Sequence, residues 1–510
     1  MYQTNILEYL ENTADRYPKK IAFSNGEDNV SFSELSEIAR SIGSFLAQRG
    51  YFKEPVAVFM DKHPTTVAAF FGVIYSGCFY VSLDSEMPPE RIRKIISKCR
   101  VRAVICSSQN LVAARGICGE CEIFEYDDIY RYRQDNALLD NIRDKHTDKD
   151  AVYAVFTSGS TGEPKGVVVC HRSVIDYTEA LCEAIGFNHN SVFANQAPLY
   201  FDAPIKEIMP TVKLGGTVHL LSRKMFMSPV QLCRYLNEHK VNTICWTASA
   251  LMLISSLGAL ENHAPKHLKI ICFGSEVFLR KDYDRWRRAC PEAVFFNLYG
   301  PTEATGMSCF WKADRELGKD EAIPIGRPFR NTQIILFDSN NPKASECRGG
   351  EMYIRGSCVS LGYVRDGDKN AEAFVQDPTN TLYPDTVYKT GDIARYNSCG
   401  ELVFVGRTDH QIKHMGYRIE LGEIETVASG FSGIARACCV YDGEKITMYY
   451  TGNCASEDVR QHMKEVLPKY MLPKDLVRIE CFPMTCNGKL DRQQLLDMTR
   501  QMKNNGTKEK

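Results

Sequence analysis

Ten residues near the first third of the chain, Thr157-Ser158-Gly159-Ser160-Thr161-Gly162-Glu163-Pro164-Lys165-Gly166, have the composition of a phosphate-holding loop. Gly159 and Gly162 let backbone N–H groups turn inward, the hydroxyls of Thr157, Ser158, Ser160 and Thr161 add donors, and Lys165 supplies a point charge. Apolar runs on either side, Ala151 to Phe156 and Val167 to Val169, string the loop between two short strands. It is not a Walker loop: Pro164 precedes Lys165, no Ser or Thr follows it, and the next segment reads as strand. The competing reading is a plain Gly/Ser surface turn. Further along, Tyr200-Phe201-Asp202 sets a carboxylate behind two aromatics and just ahead of a Pro-initiated helix, where it either caps the helix or holds a cation. Glu420, Glu423 and Glu425 have the spacing of the exposed first turns of a helix, whose dipole favours carboxylates, and are read that way rather than as a metal cluster.

The elements that must position these groups follow from periodicity. An amphipathic helix opens the chain, with Ile6, Leu7, Leu10, Ala14 and Tyr17 on one face. Ser31 and Glu34 then form a capping box ahead of a second helix. Strands at Pro55 to Met60, Cys78 to Leu83 and Ala103 to Ser107 alternate with helices at Pro64 to Ser76 and Glu90 to Cys99, the pattern of an α/β sheet. The alternation resumes with strands at Val192 to Pro198, Thr217 to Leu221, Thr243 to Thr247 and Lys269 to Phe273. From residue 323 the texture changes to short strands and turns, and a compact α+β segment follows the turn Gly406-Arg407-Thr408-Asp409. The fold class is therefore α/β plus α+β. Residues 1–406 form a large body of two α/β subdomains and a β-rich subdomain (323–406), residues 407–499 a small C-terminal domain, and 500–510 a disordered tail.

Lys plus Arg at 62 balance Asp plus Glu at 63, so no overall field draws the chain to nucleic acid or an anionic membrane. The most apolar stretch, Val67 to Tyr75, is too short to span a bilayer, and the N-terminus lacks the features of a signal peptide. We read a cytoplasmic protein. Its 20 cysteines scatter through apolar runs and are expected to be buried free thiols; Cys118 and Cys121 have no second pair at zinc spacing.

The loop at 157–166, Asn297-Leu298-Tyr299-Gly300-Pro301-Thr302-Glu303, Tyr388-Lys389-Thr390-Gly391-Asp392, Gly406-Arg407-Thr408-Asp409, Gly416-Tyr417-Arg418-Ile419-Glu420-Leu421-Gly422-Glu423-Ile424-Glu425 and Asn487-Gly488-Lys489 occur in the order and spacing of the adenylate-forming superfamily. Over essentially its whole length the chain resembles the amino-acid-adenylating branch, both the stand-alone D-alanine ligases and the adenylation domains of nonribosomal peptide synthetases. The resemblance implies ATP and Mg²⁺ as cofactors and a mobile C-terminal domain. It implies that Lys165 and its loop hold the departing phosphates, Tyr299 lies against adenine, Thr302 bonds phosphate oxygen, Glu303 helps place Mg²⁺ and Asp392 accepts from the ribose hydroxyls. Arg407, Asn297 and Gly300 belong around the nucleotide. Lys489 would meet carboxylate and α-phosphate in the first half-reaction, Asp409 would be the hinge, and Gly416 would approach the phosphopantetheine thiol in the second.

By the same resemblance Asp202 pairs with the substrate α-ammonium, and Ala203, Lys206, Trp246, Ile271, Phe273, Leu298, Gly306 and Met307 line the pocket. Trp246, Phe273 and Met307 would fill space and favour D-alanine or another small amino acid, whereas Lys206 would suit an acidic side chain. Only residues 490–510 follow Lys489, so a separate carrier protein is the expected acceptor, and a monomer the expected state. The alternatives are an acyl-CoA ligase of the same fold, which has no cation for Asp202 to hold, and a degenerate ATP-sensing module.

Overall fold

The computed structural model describes residues 3–159, 163–319, 321–338, 349–484 and 490–506, side chains to 503. Ser160, Thr161, Gly162 and Lys489 lie outside the described residues. The chain divides into two compact units. The larger comprises Met1–Ser85, Lys98–Val155 and Gly166–Thr408; the smaller joins Asp409–Lys510 to two earlier segments, Glu86–Ser97 and Phe156–Lys165. The division thus falls two residues past the boundary expected at 406, and the smaller unit is discontinuous in sequence.

The larger unit is built on three sheets. Among the described residues a nine-stranded sheet runs in the order Arg327–Pro328, Cys309–Lys312, Val294–Tyr299, Ile270–Gly274, Thr243–Thr247, Val192–Asn195, Thr217–Leu220, Ile21–Ser24 and Asn29–Ser31. Its central strands are parallel and covered on both faces. Successive side chains alternate between those faces: Cys245, Cys272, Phe296 and Leu298 enter the core that holds Ile205 and Met209, while Ile244, Trp246, Ile271, Phe273 and Phe295 enter the core around Leu232, Leu251 and Trp286. The seven-stranded sheet follows the order Gly362–Tyr363, Lys165–Cys170, Ala151–Thr157, Phe79–Leu83, Pro55–Phe59, Ala103–Cys106 and Glu122–Glu125. The third sheet, antiparallel, contains Thr332–Phe337, Gly350–Gly356, Phe374–Gln376, Thr386–Tyr396 and Leu402–Arg407.

Local signals explain the helix starts. The capping box at Ser31 forms, with Ser31 N–H donating to Glu34 Oε2 at 2.8 Å. Pro64 occupies the first turn of Pro64–Tyr75, a helix buried on nearly every side, which accounts for its apolar run without a membrane. No described helix is long and apolar enough to cross a bilayer. Every described cysteine is free and most are buried.

The smaller unit holds the hairpin Gln411–His414/Tyr417–Glu420, a sheet of Ile434–Tyr441, Ile446–Gly452 and Asp475–Arg478, and the helices Leu421–Ser429, Ser456–Val466 and Arg492–Gly506. The last helix corrects the expected tail: the backbone stays helical from residue 500 to Gly506, and Leu495 and Thr499 anchor it by burial at 0% and 2% exposure.

Candidate functional site

In the larger unit, strand Val294–Tyr299 delivers Tyr299 to the start of a tight turn at Gly300. A Cβ at Gly300 would lie 2.4 Å from Met307 Cα, so only glycine lets the two backbones meet there. The Tyr299 hydroxyl donates to Asp392 Oδ2, and Arg407 grips Oδ1. Arg407 also donates to Thr390 O at 3.2 Å, while the Thr390 hydroxyl ties to Met352 O at 2.7 Å and accepts from Asp392 N–H at 2.9 Å. Burial and the adjoining Asp392 carboxylate push the Tyr299 phenol far above its usual range. The structure therefore brings Tyr299, Asp392 and Arg407 together. Tyr299 is 5% exposed, and its hydroxyl fixes the Asp392 carboxylate. Asn297 is held to the backbone, Nδ2 donating to Pro324 O at 2.7 Å.

Glu303 is wholly buried, with Oε1 receiving the Tyr363 hydroxyl at 2.8 Å. Its neighbour Thr302 favours the ionised form of the Asp202 carboxyl. Asp202 does not cap the helix Ile205–Leu214: the N-cap is Pro204, without a side-chain bond. Burial raises the Asp202 pKa, while Thr302 and the Lys206 charge pull it down. Lys206 itself is 4% exposed. Glu207, 1% exposed, accepts from Asn195 Nδ2 at 3.2 Å, and burial lifts its carboxyl to about 8 against the charges of Lys206 and Lys62. Lys62 donates to Asn195 O and Gln196 O at 2.9 and 3.1 Å. A small cavity of about 30 Å³, lined in part by Tyr153, Phe201, Asp202, Pro204 and Ile205, adjoins this cluster.

The expected pocket wall requires correction. Cys245 feels the charges of Glu207 and Lys206 and contacts Cys272, its register partner on the neighbouring strand. Leu298 and Met307 share that core. Trp246, Ile271 and Phe273 point to the opposite face; Trp246 donates to Ala194 O at 2.6 Å, and Phe273 packs 4.9 Å from Phe278. A one-residue step along a strand reverses the face, so Cys245 and Cys272 replace Trp246 and Phe273 beside Lys206. Sequence reasoning missed these cysteines and Tyr177. Tyr177 is 2% exposed, its hydroxyl has no partner among the described residues, and its ring would come within 3.3 Å of a Cβ at Gly306. Strand alternation was the signal available for the cysteines; nothing local pointed to Tyr177.

The smaller unit carries the loop. Lys165 Nζ lies 3.0 Å from Glu420 Oε1, which also accepts from Gln411 Nε2 at 2.7 Å. Ser158 Oγ donates to Arg418 O at 2.9 Å and accepts from Glu420 N–H at 3.1 Å. Gly159 N–H donates to Glu423 Oε2 at 3.0 Å, and Arg91 Nη1 meets the other oxygen at 2.8 Å. Among the described donors of the loop, Lys165 and the Gly159 N–H are thus held by carboxylates and the Ser158 hydroxyl by a backbone carbonyl. This corrects the exposed helix face expected for the glutamates: Glu423 is 1% and Glu420 9% exposed, while Glu425 pairs with Arg492 at 2.7 Å. Thr157 Oγ1 is buried without a partner among the described residues. Asp409 opens the unit and accepts from Gln411 N–H at 3.1 Å. Gly416 is required by the hairpin turn itself, where φ is +84° after Met415 at +54°.

The chain belongs to the AMP-binding enzyme family, whose model matches residues 10–364. It is 30% identical over 509 residues to a D-alanine–D-alanyl carrier protein ligase of Staphylococcus aureus, covering 97% of this chain and 99% of that protein. It is 29% identical over 501 residues to a surfactin synthase component of Bacillus subtilis; there it spans 95% of its own length but only 14% of the relative. The crystal structure of the Vibrio cholerae adenylation domain AlmE in complex with glycyl-adenosine-5′-phosphate shares the fold, with a TM-score of 0.84 at 19% identity and 98% of each chain covered.

Proposed function

We propose that the protein activates an amino acid with ATP and passes the aminoacyl group to the phosphopantetheine thiol of a carrier protein. In the first step a substrate carboxylate oxygen bonds the α-phosphorus of ATP and the bond to pyrophosphate breaks, leaving aminoacyl-AMP. In the second the thiol gives up its proton, sulfur bonds the acyl carbon and AMP departs. The observation that carries this reading is the Asp202 carboxyl, which lines a small, largely apolar cavity. Thr302, on the turn proposed for phosphate, favours the ionised form of this carboxylate, which is proposed for the α-ammonium. A fatty or aryl acid offers no cation to Asp202, which disfavours an acyl-CoA ligase.

Asp392, oriented by Tyr299 and Arg407, keeps lone pairs for the ribose hydroxyls. Asn297 and Gly300 shape the nucleotide's turn, and Lys165 with Thr157, Ser158 and Gly159 receives the departing phosphates. Glu303, buried and braced by Tyr363, fits the single carboxylate a protein contributes to Mg²⁺ on a polyphosphate, where the ion would neutralise charge. Lys489 is the proposed transition-state cation, Asp409 the hinge, and Gly416 the residue nearest the thiol. Likeness to the D-alanine ligase supports D-alanine or another small amino acid, with Ala203 and Met307 at the pocket. A second reading, an amino acid with an acidic side chain, is favoured by one observation, the burial of Lys206 beside Asp202. Amino-acid-dependent ATP–pyrophosphate exchange over D-alanine, L-alanine, glycine, serine and both enantiomers of aspartate and glutamate tests the proposal. Exchange with none of the amino acids, or equal exchange with plain carboxylic acids, refutes it.

A further inference from the structure

A groove of about 460 Å³ opens on the smaller unit beside the Met415–Gly416 turn. Its walls come from that turn, the start of strand Ile446–Gly452, helix Ser456–Val466 and the segment Lys469–Lys474. Cations dominate its lining: Lys445, Arg460, Lys469 and Lys474 face a single carboxylate, Glu444. Glu444 is neutralised by Lys503, and Lys445 pairs with Asp475 at 2.5 Å. Arg460 donates to the carbonyls of Pro473 and Lys474 at 2.9 and 3.0 Å, which hold its guanidinium in place, and it forms no ion pair among the described residues. Lys469 and Lys474 are exposed and form no ion pair among the described residues. In a chain of net charge −1, this is a local concentration of positive field.

The groove is not only charged. Tyr470 forms a firm wall, stacked on Tyr417 at 3.8 Å between ring centres. Met415 projects from the hairpin at 59% exposure with a left-handed φ of +54°, a conformation that costs energy for a residue with a Cβ. An exposed, adaptable apolar side chain ringed by cations is the composition of a protein-docking surface rather than of a solvated rim.

We propose that this groove receives an acidic face of the protein that accepts the aminoacyl group, with Met415 as the apolar anchor. The inference rests on the carrier-transfer reading above and adds to it the place and chemistry of docking. A protein partner is favoured over a free anion because the cations are spread around an apolar contact, where carboxylates along a helix can meet them one by one. The attraction would steer encounter and weaken with salt.

The test compares two thiol acceptors, a phosphopantetheinylated carrier protein with an acidic helix and free pantetheine, using the full-length enzyme. For Lys469→Glu/Lys474→Glu, the KM for the carrier is expected to rise about tenfold or more. The salt dependence of the wild-type reaction should flatten, and transfer to pantetheine and ATP–pyrophosphate exchange should stay at wild-type levels. Met415→Asp should raise the same KM without altering exchange. Unchanged carrier KM and salt dependence in the double variant overturns the proposal, as does an equal loss with pantetheine. If wild-type enzyme exchanges pyrophosphate yet loads neither thiol, the carrier-transfer reading itself falls, and the docking surface with it.

Discussion

Burial works against ionisation of the Asp202 carboxyl, while Thr302 and the Lys206 charge favour it, so a substrate ammonium placed there adds the contact that keeps it ionised. Removing that charge tests the role directly. Asp202→Asn should raise the KM for the amino acid about a hundredfold or more in the exchange assay, the scale of a desolvated charge pair losing one partner; an unchanged KM would remove Asp202 from the ammonium site. Lys206→Met distinguishes the two substrate readings. If an acidic amino acid is the substrate, its kcat/KM should fall by roughly two orders of magnitude relative to alanine, whereas an unaltered ranking leaves D-alanine as the better reading. Much of this chemistry was legible in residue types, because a carboxylate behind two aromatics and a lysine in a glycine loop are conspicuous in one dimension. The pocket wall was not: choosing Trp246 over Cys245 depends on which face of a strand looks toward Lys206, and only the packed sheet decides that.

The hairpin and helix that follow Asp409 bring Glu420 and Glu423 onto the loop's donors, so any polyphosphate bound by Lys165 must first displace the Glu420 carboxylate. Glu420→Gln removes that competitor and should lower the pyrophosphate concentration for half-inhibition by about three- to tenfold; inhibition equal to wild type would show that the pair does not oppose phosphate. A different element reads pH. His171 Nδ1 accepts from Ile6 N–H at 3.2 Å and so ties down the segment leading into the first helix, while burial holds the ring neutral, with its pKa pushed down to about 3. The unfolded chain binds this proton near pH 6.5, the folded chain only near 3, so the stability His171 contributes is complete above 6.5 and drains away as pH falls below it. Melting temperature should drop between pH 7.5 and 5 more steeply in the wild type than in His171→Asn; parallel curves would clear His171. Strand and helix positions were readable from alternation and caps, as at Ser31 and Pro64. The glutamates were misjudged because helix-dipole reasoning treats the helix alone, and Arg91 lies 332 residues away in sequence.

Thr408 ends the larger unit and Asp409 begins the C-terminal part of the smaller one. If the junction turns between the steps, Asp409→Pro should lower thioester transfer at least tenfold more than adenylate formation; equal losses in both assays would argue against a hinge there. The α/β body and β-rich sheet were legible from changes in periodicity, but the membership of the smaller unit was not, because no local pattern records that Glu86–Ser97 and Phe156–Lys165 cluster with the far end of the chain. That discontinuity has a consequence for synthesis. At roughly 5–20 residues per second, Arg91 leaves the ribosome tens of seconds before Glu423 exists. Until then a guanidinium destined for burial stays hydrated and the phosphate loop lacks its carboxylate partners. A gene cut at residue 408 would freeze the chain in that nascent state, and a chimaera that exchanges the C-terminal part must carry matching residues at 91 and 165 to complete it.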